Sequence, residues 1–232
     1  MPLSQSMLKA VGSKKDQQHL HTRELAVLLA QTAWGETVIQ PALVKLRGMF
    51  DQAAIKRMID SQLLDEERHE RLYWKAIREL DVDFPQEEMP LYYRQLQALV
   101  ESADSPLKLI ASLHVCLESF AMGAFEYRRS ACSDPRILAM DLEVELDEIR
   151  HLNFAPIMAE CLHDEPTKSS RSELFQVVRE VHQMFLHDNI VEQIQKRAQV
   201  NFMVHAESLQ TYREACDRIW LQQFKQFLRV AM

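Results

Sequence analysis

A chain of 232 residues can form one large domain with a buried core, and 47% hydrophobic with 26% charged residues is the balance of a soluble globular protein. The net charge of −7, without a basic stripe, disfavours nucleic acid as a partner. No apolar run approaches the roughly 20 residues of a membrane span, and the N-terminal MPLSQSMLKAVGSKKDQQ has no apolar signal core, so no membrane partner and a cytoplasmic location are expected.

Only four glycines punctuate the chain, which points to long helices. Residues 1–19 read as a loose leader and 20–232 as a single helical domain. From about His21 the residues Leu25, Leu29, Thr32, Glu36 and Ile39 recur at steps of three and four, one face of a first helix. Gly48 stops it and Asp51 is the expected N-cap of a second helix over about 52–80, with Ile55, Met58 or Ile59, Gln62, Glu66, His69 and Tyr73 inward. DVDFPQEEMP breaks the pattern, and a shorter helix is expected over Leu91–Ser102. Asp104–Pro106 opens a third long helix that turns Ile110, His114, Glu118, Ala121 or Met122, and Phe125 inward. Asp134 and Pro135 then start a fourth, with Leu138, Asp141, Val144, Glu148, His151 and Ala155 on its inner face. HDEPTKSSRS ends it, and 170–232 reads as a C-terminal helical extension of one short and one long amphipathic helix. The plan is all-α: two long hairpins over 20–163, joined by a long crossover.

The four cysteines, Cys116, Cys132, Cys161 and Cys216, form no CxxC pair, so neither a zinc knuckle nor a rubredoxin-like iron site is expected. The chemistry lies elsewhere. LDEERH at 64–69 and LDEIRH at 146–151 nearly repeat each other. Each holds Glu-x-x-His, Glu66/His69 and Glu148/His151, whose side chains share one helix face. One such pair is a weak signal. Counting back 30 residues from Glu66 reaches Glu36, and from Glu148 reaches Glu118. The midpoints, Asp51 and Ser133, fall in the two turns, so in an antiparallel hairpin each lone Glu faces its Glu-x-x-His. Four carboxylates on otherwise apolar faces are prohibitively costly to bury without a cation, and two divalent ions balance them.

Asp65 and Asp147 lie four residues before each His. An Asp at that offset can accept from the imidazole nitrogen that does not bind metal, fixing the tautomer. Arg68 and Arg150 can pair with those acids or with acids on neighbouring helices; ordinary i,i+3 helix pairs are the plainer alternative.

This pattern resembles the ferritin-like di-iron carboxylate superfamily over about Glu24–Leu162, and Asp-Glu-x-Arg-His in both halves resembles its oxygen-activating hydroxylases more than its storage ferritins. The resemblance implies a ferritin-like four-helix bundle with extra C-terminal helices. It also implies that Glu36, Glu66 and His69 hold one iron and Glu118, Glu148 and His151 the other, with Glu66 and Glu148 bridging. Two Fe ions are the implied cofactor, with Mn/Fe as the variant. The implied activity is that of an O2-dependent oxidase or oxygenase acting on a small organic substrate, with the di-metal centre itself as the catalyst. No flavin or nicotinamide fingerprint is present, so electrons are expected from an external donor. A ferroxidase or iron-handling protein is the alternative, and self-association into a homodimer is a further option. Trp34, His114, Phe120, Met122 and Phe125 neighbour the expected ligands; they are candidates for a dry substrate pocket or, equally, for core.

Overall fold

The computed structural model describes residues 14–82, 89, 91–162, 176–181, 183 and 206–230. All regular structure among them is helical: α1 (Lys14–Gly48), α2 (Ala53–Glu79), α3 (Leu91–Ser102), α4 (Pro106–Ile110), α5 (Glu118–Ala131), α6 (Pro135–Cys161) and α7 (Ala206–Val230). Between α4 and α5 the chain stays helical through a π segment, Ala111–Leu117.

α1 begins at Lys14, inside the stretch expected to be a leader, because KKDQQ consists largely of good helix formers. Residues 1–13 lie outside the described residues. α1 and α2 form an antiparallel hairpin: Thr37 and Gln40 donate to Glu70 at 2.9 and 2.8 Å, and Arg47 reaches Asp60 nearer the turn. The N-cap of α2 is Gln52 rather than the expected Asp51, since the first helical bond runs from Lys56 N to Gln52 O; the Gln52 side chain makes no capping hydrogen bond. Ser105 caps α4, accepting from Lys108 N, and Asp134 caps α6, accepting from Arg136 N; each is followed by a proline at the first helical position.

α5 and α6 form the second antiparallel hairpin, with Arg128 paired to Asp141 and Arg129 to Glu145. The pairs α1–α2, α2–α6, α6–α5 and α5–α1 are all in contact, so the four long elements close around one interior. Ala30, Leu29, Ile59, Leu113, Phe125 and Val144 are among its fully buried apolar residues. On the outside, α3 lies along α1, where Trp34 meets Trp74 edge-on at 5.8 Å and Tyr93 at 6.3 Å. α7 lies on α5 and α6, burying Phe224 and Phe227. The long helix expected in the extension is thus present. The shorter one falls mostly outside the described residues, although 176–181 are helical.

Pro106–Arg129 is apolar and long enough, by length and composition, to cross a membrane, contrary to the expectation of no such run; 78% of its most apolar window is buried within the fold. That helix carries His114 and Glu118, both buried.

Candidate metal centre

Helical spacing brings six side chains from four elements to one place. α1 supplies Glu36, α2 Glu66 and His69, α5 Glu118, and α6 Glu148 and His151. Glu66, His69, Glu148 and His151 are fully inaccessible, and Glu36 and Glu118 are buried. Two overlapping groups, Glu36/Glu66/His69/Glu148 and Glu66/Glu118/Glu148/His151, each offer one ligand atom per residue within 4.8 Å of the others. These buried groups could hold metal.

The two imidazoles turn Nδ1 inward. His69 Nδ1 lies 3.2 Å from Glu66 Oε2 and 3.1 Å from Glu148 Oε1. His151 Nδ1 lies 3.2 Å from Glu66 Oε1 and 2.9 Å from Glu148 Oε2. Glu66 and Glu148 therefore each present one oxygen to either histidine. Glu36 stands 3.9 Å from His69 Nδ1 and Glu118 stands 3.8 Å from His151 Nδ1, one at each end. Glu148 Oε1 is buried and, despite its closeness to His69, has no hydrogen bond among the described residues. An orphaned carboxylate oxygen in such a place fits a cation.

Without a cation the carboxylates divide the charge unevenly. Burial, and then the charges of Glu66 and Glu148, push Glu36 well up; burial and the same two charges do so for Glu118. Burial also opposes ionisation of Glu148, but His151 and His69 hold it well below the ordinary range. His69 is pushed up to about 10: burial alone would lower it, and the Glu148 and Glu66 carboxylates overcome that. Protons thus stand in for positive charge at the histidines and outer glutamates.

The outward Nε2 atoms meet the repeat's aspartates, but crosswise. His69 Nε2 lies 3.3 Å from Asp147, and His151 Nε2 lies 3.4 Å from Asp65. The same-helix pairing expected from the offset of four is not formed. With Nδ1 turned to the interior, Nε2 faces the seam between α2 and α6, where the nearest acid belongs to the other helix. Arg68 makes the same crossing to Asp147 and Glu143, and Arg150 crosses to Asp65 at 2.5 Å while also keeping the ordinary i,i+3 pair with Asp147 of its own helix at 2.8 Å. Leu64 and Leu146, which open the two repeats, are exposed, as are Glu67, Ile149 and Arg150.

His114 does not reach the cluster directly. Its Nε2 meets Gln62 Oε1 at 2.9 Å, and Gln62 Nε2 donates to Glu66 Oε1 and Glu118 Oε1, both at 2.8 Å. Trp34 packs with Trp74 and Tyr93 toward α3. Phe125 lies under the Arg128 guanidinium, 5.1 Å from ring centroid to Cζ; Phe120 is buried and Met122 only partly so.

Sequence reasoning missed two features. Arg128 is fully buried in a two-pronged pair with Asp141, at 2.7 and 2.8 Å, and donates to Thr32 at 3.0 Å. Its signal was available, since both residues sit on inner faces about equidistant from the 132–134 turn, as the glutamates do. The π segment at Ala111–Leu117 had no signal: one extra residue in a turn leaves an apolar stretch looking equally apolar.

The chain matches no protein-family model, no curated protein and no solved structure.

Proposed function

We propose that the cluster is a dinuclear metal centre in a ferritin-like four-helix bundle, and that the protein is a non-haem di-iron oxidase or oxygenase of small organic substrates. The observation that carries this reading is the way Glu66 and Glu148 each turn one oxygen to His69 and the other to His151. Carboxylates arranged so are suited to bridge two ions, with Glu36 and Glu118 as end ligands. Imidazole with carboxylate ligands suits iron and manganese.

When bound, two ferrous ions would supply the electrons and the binding position for O2. The chain's own contribution is to bind and to exclude. Neutral imidazole is needed at Nδ1, and Asp147 and Asp65 hold the Nε2–H of His69 and His151 in place. Ionised Glu36 and Glu118 complete the charge balance. The six cluster residues are themselves buried in the same interior as Ile59, Val144 and Phe125, and such burial keeps water from the centre. Reducing equivalents come from an external donor.

Metal content measured on the purified protein tests the first step: about two iron or manganese ions per chain are expected. Glu148→Ala removes a ligand shared by both positions and is expected to abolish stoichiometric binding; full occupancy in that variant refutes the centre. Addition of Fe(II) and O2 tests the second step. Oxygen uptake that stops at the dinuclear stoichiometry supports an oxidase or oxygenase, whereas continued uptake with growth of a mineral core assigns the iron-handling alternative.

A further inference from the structure

The two halves of the centre supply matching ligands but differ in the residues behind them. Four residues before Glu148 stands Val144, and four before Glu66 stands Gln62; both are fully buried. Both hydrogens of the Gln62 amide are committed to the cluster, one to Glu66 Oε1 and one to Glu118 Oε1. With metal bound both carboxylates are ionised and only accept, so the NH2 end must face them and Oε1 must face His114. His114 Nε2 therefore carries that imidazole's proton, and its Nδ1 is a bare acceptor, buried and without a partner among the described residues. Burial, followed by the charge of His151, lowers His114 to about 3, so it stays neutral and keeps this tautomer. The ring is held on the π segment that leads into Glu118, an irregularity of the kind that recurs at functional sites.

The effect falls on one side only. Glu66 Oε1 and Glu118 Oε1, the two oxygens held by Gln62, are also the oxygens of those two carboxylates that face His151 Nδ1, at 3.2 and 3.8 Å. At the other end, Glu36 receives no hydrogen bond from a nitrogen donor among the described residues, and Val144 has none to give. A held carboxylate loses less rotational freedom when it takes a metal than an unheld one does.

Resting on the dinuclear reading, we propose that Gln62, fixed by His114, is a positioning residue that makes the two metal positions unequal. The His151/Glu118 position is pre-organised and fills first. The His69/Glu36 position fills second, and Glu36 is the end carboxylate that no amide holds in place.

Titration of the full-length, chelator-stripped protein with Mn(II) alone, followed by electron paramagnetic resonance and calorimetry, tests this. Two steps of unequal affinity are expected. Glu36→Ala should keep the tight step and lose the weak one, while Glu118→Ala should lose the tight one. Gln62→Leu should weaken the tight step roughly 10- to 100-fold, the usual effect of removing an outer hydrogen bond to a ligand, and bring the steps together. Two equal steps in the unaltered protein, or a tight step that survives Glu118→Ala, overturn the inference while leaving the dinuclear centre standing. Failure to bind Mn(II) stoichiometrically overturns the centre itself. The unaltered protein and the two glutamate variants decide the matter even if Gln62→Leu does not fold.

Discussion

His69 on α2 places its Nε2 3.3 Å from Asp147 on α6, not against the Asp65 of its own repeat. His151 and Asp65 make the reciprocal contact at 3.4 Å. Each half of the repeat thus orients the histidine of the other half, and the two helices cannot shift along each other without disturbing both.

That crossing predicts which position each aspartate governs. Asp147→Asn should weaken metal binding at the His69 position, and Asp65→Asn at the His151 position, each by roughly 10- to 100-fold. Competition against a coloured chelator measures the loss, and the single-site variants Glu36→Ala and Glu118→Ala assign it. Losses matched to the same-helix histidine instead would contradict the crosswise contacts.

The Arg128–Asp141 pair is fully buried and extended by Thr32, with the guanidinium also over the rings of Tyr73 and Phe125 at 5.7 and 5.1 Å. Arg128→Met should destabilise the fold by about 3–5 kcal/mol, because it leaves Asp141 charged and alone. The double change Arg128→Met with Asp141→Leu should recover most of that. Urea unfolding of the three proteins checks both statements, and a double variant no more stable than the single one would count against them.

Tyr73 is fully buried, and its hydroxyl has no hydrogen-bond partner among the described residues. Removing a buried, unsatisfied hydroxyl should not harm the fold, so Tyr73→Phe is expected to be neutral or up to about 1 kcal/mol stabilising. The shift in urea midpoint gives the sign. A clear destabilisation would show that the hydroxyl has a partner in solution.

Metal-free protein should become less stable as pH rises. His69 is raised to about 10, burial being overcome by the neighbouring carboxylates. Its contribution is fully present below about pH 6.5, where the unfolded chain also binds the proton, and is lost as pH climbs through about 10. Glu36 and Glu118, pushed up by burial and by the charges of Glu66 and Glu148, act in the same direction. Melting temperatures between pH 6.5 and 10 should therefore fall. With Mn(II) present the fall should flatten, since the metal replaces the protons and binds more tightly as pH rises. A melting temperature that climbs over this window without metal would refute the assignment.

The sequence by itself determined the long helices and most of the inward faces of α2, α5 and α6, although Ala121, Met122 and Leu138, expected inward, are only partly buried and Ala124 and Ile137 are buried beside them. It also picked out all six cluster residues, because a period of 3.6 and equal distances from a turn are properties of one chain read along its length. Glu36 and Glu118 were found by counting, as Arg128 and Asp141 could have been. Tertiary structure decided what depends on neighbours distant in sequence. The offset of four in the repeat pointed to same-helix partners for the histidines, yet the seam between α2 and α6 brought a closer acid to each. Gln62 looked like one polar residue on an inner face until α5 set Glu118 and the π segment set His114 within reach of its amide. Hydrogen bonds across helices are fixed by which elements pack together and at what height, and linear spacing records neither.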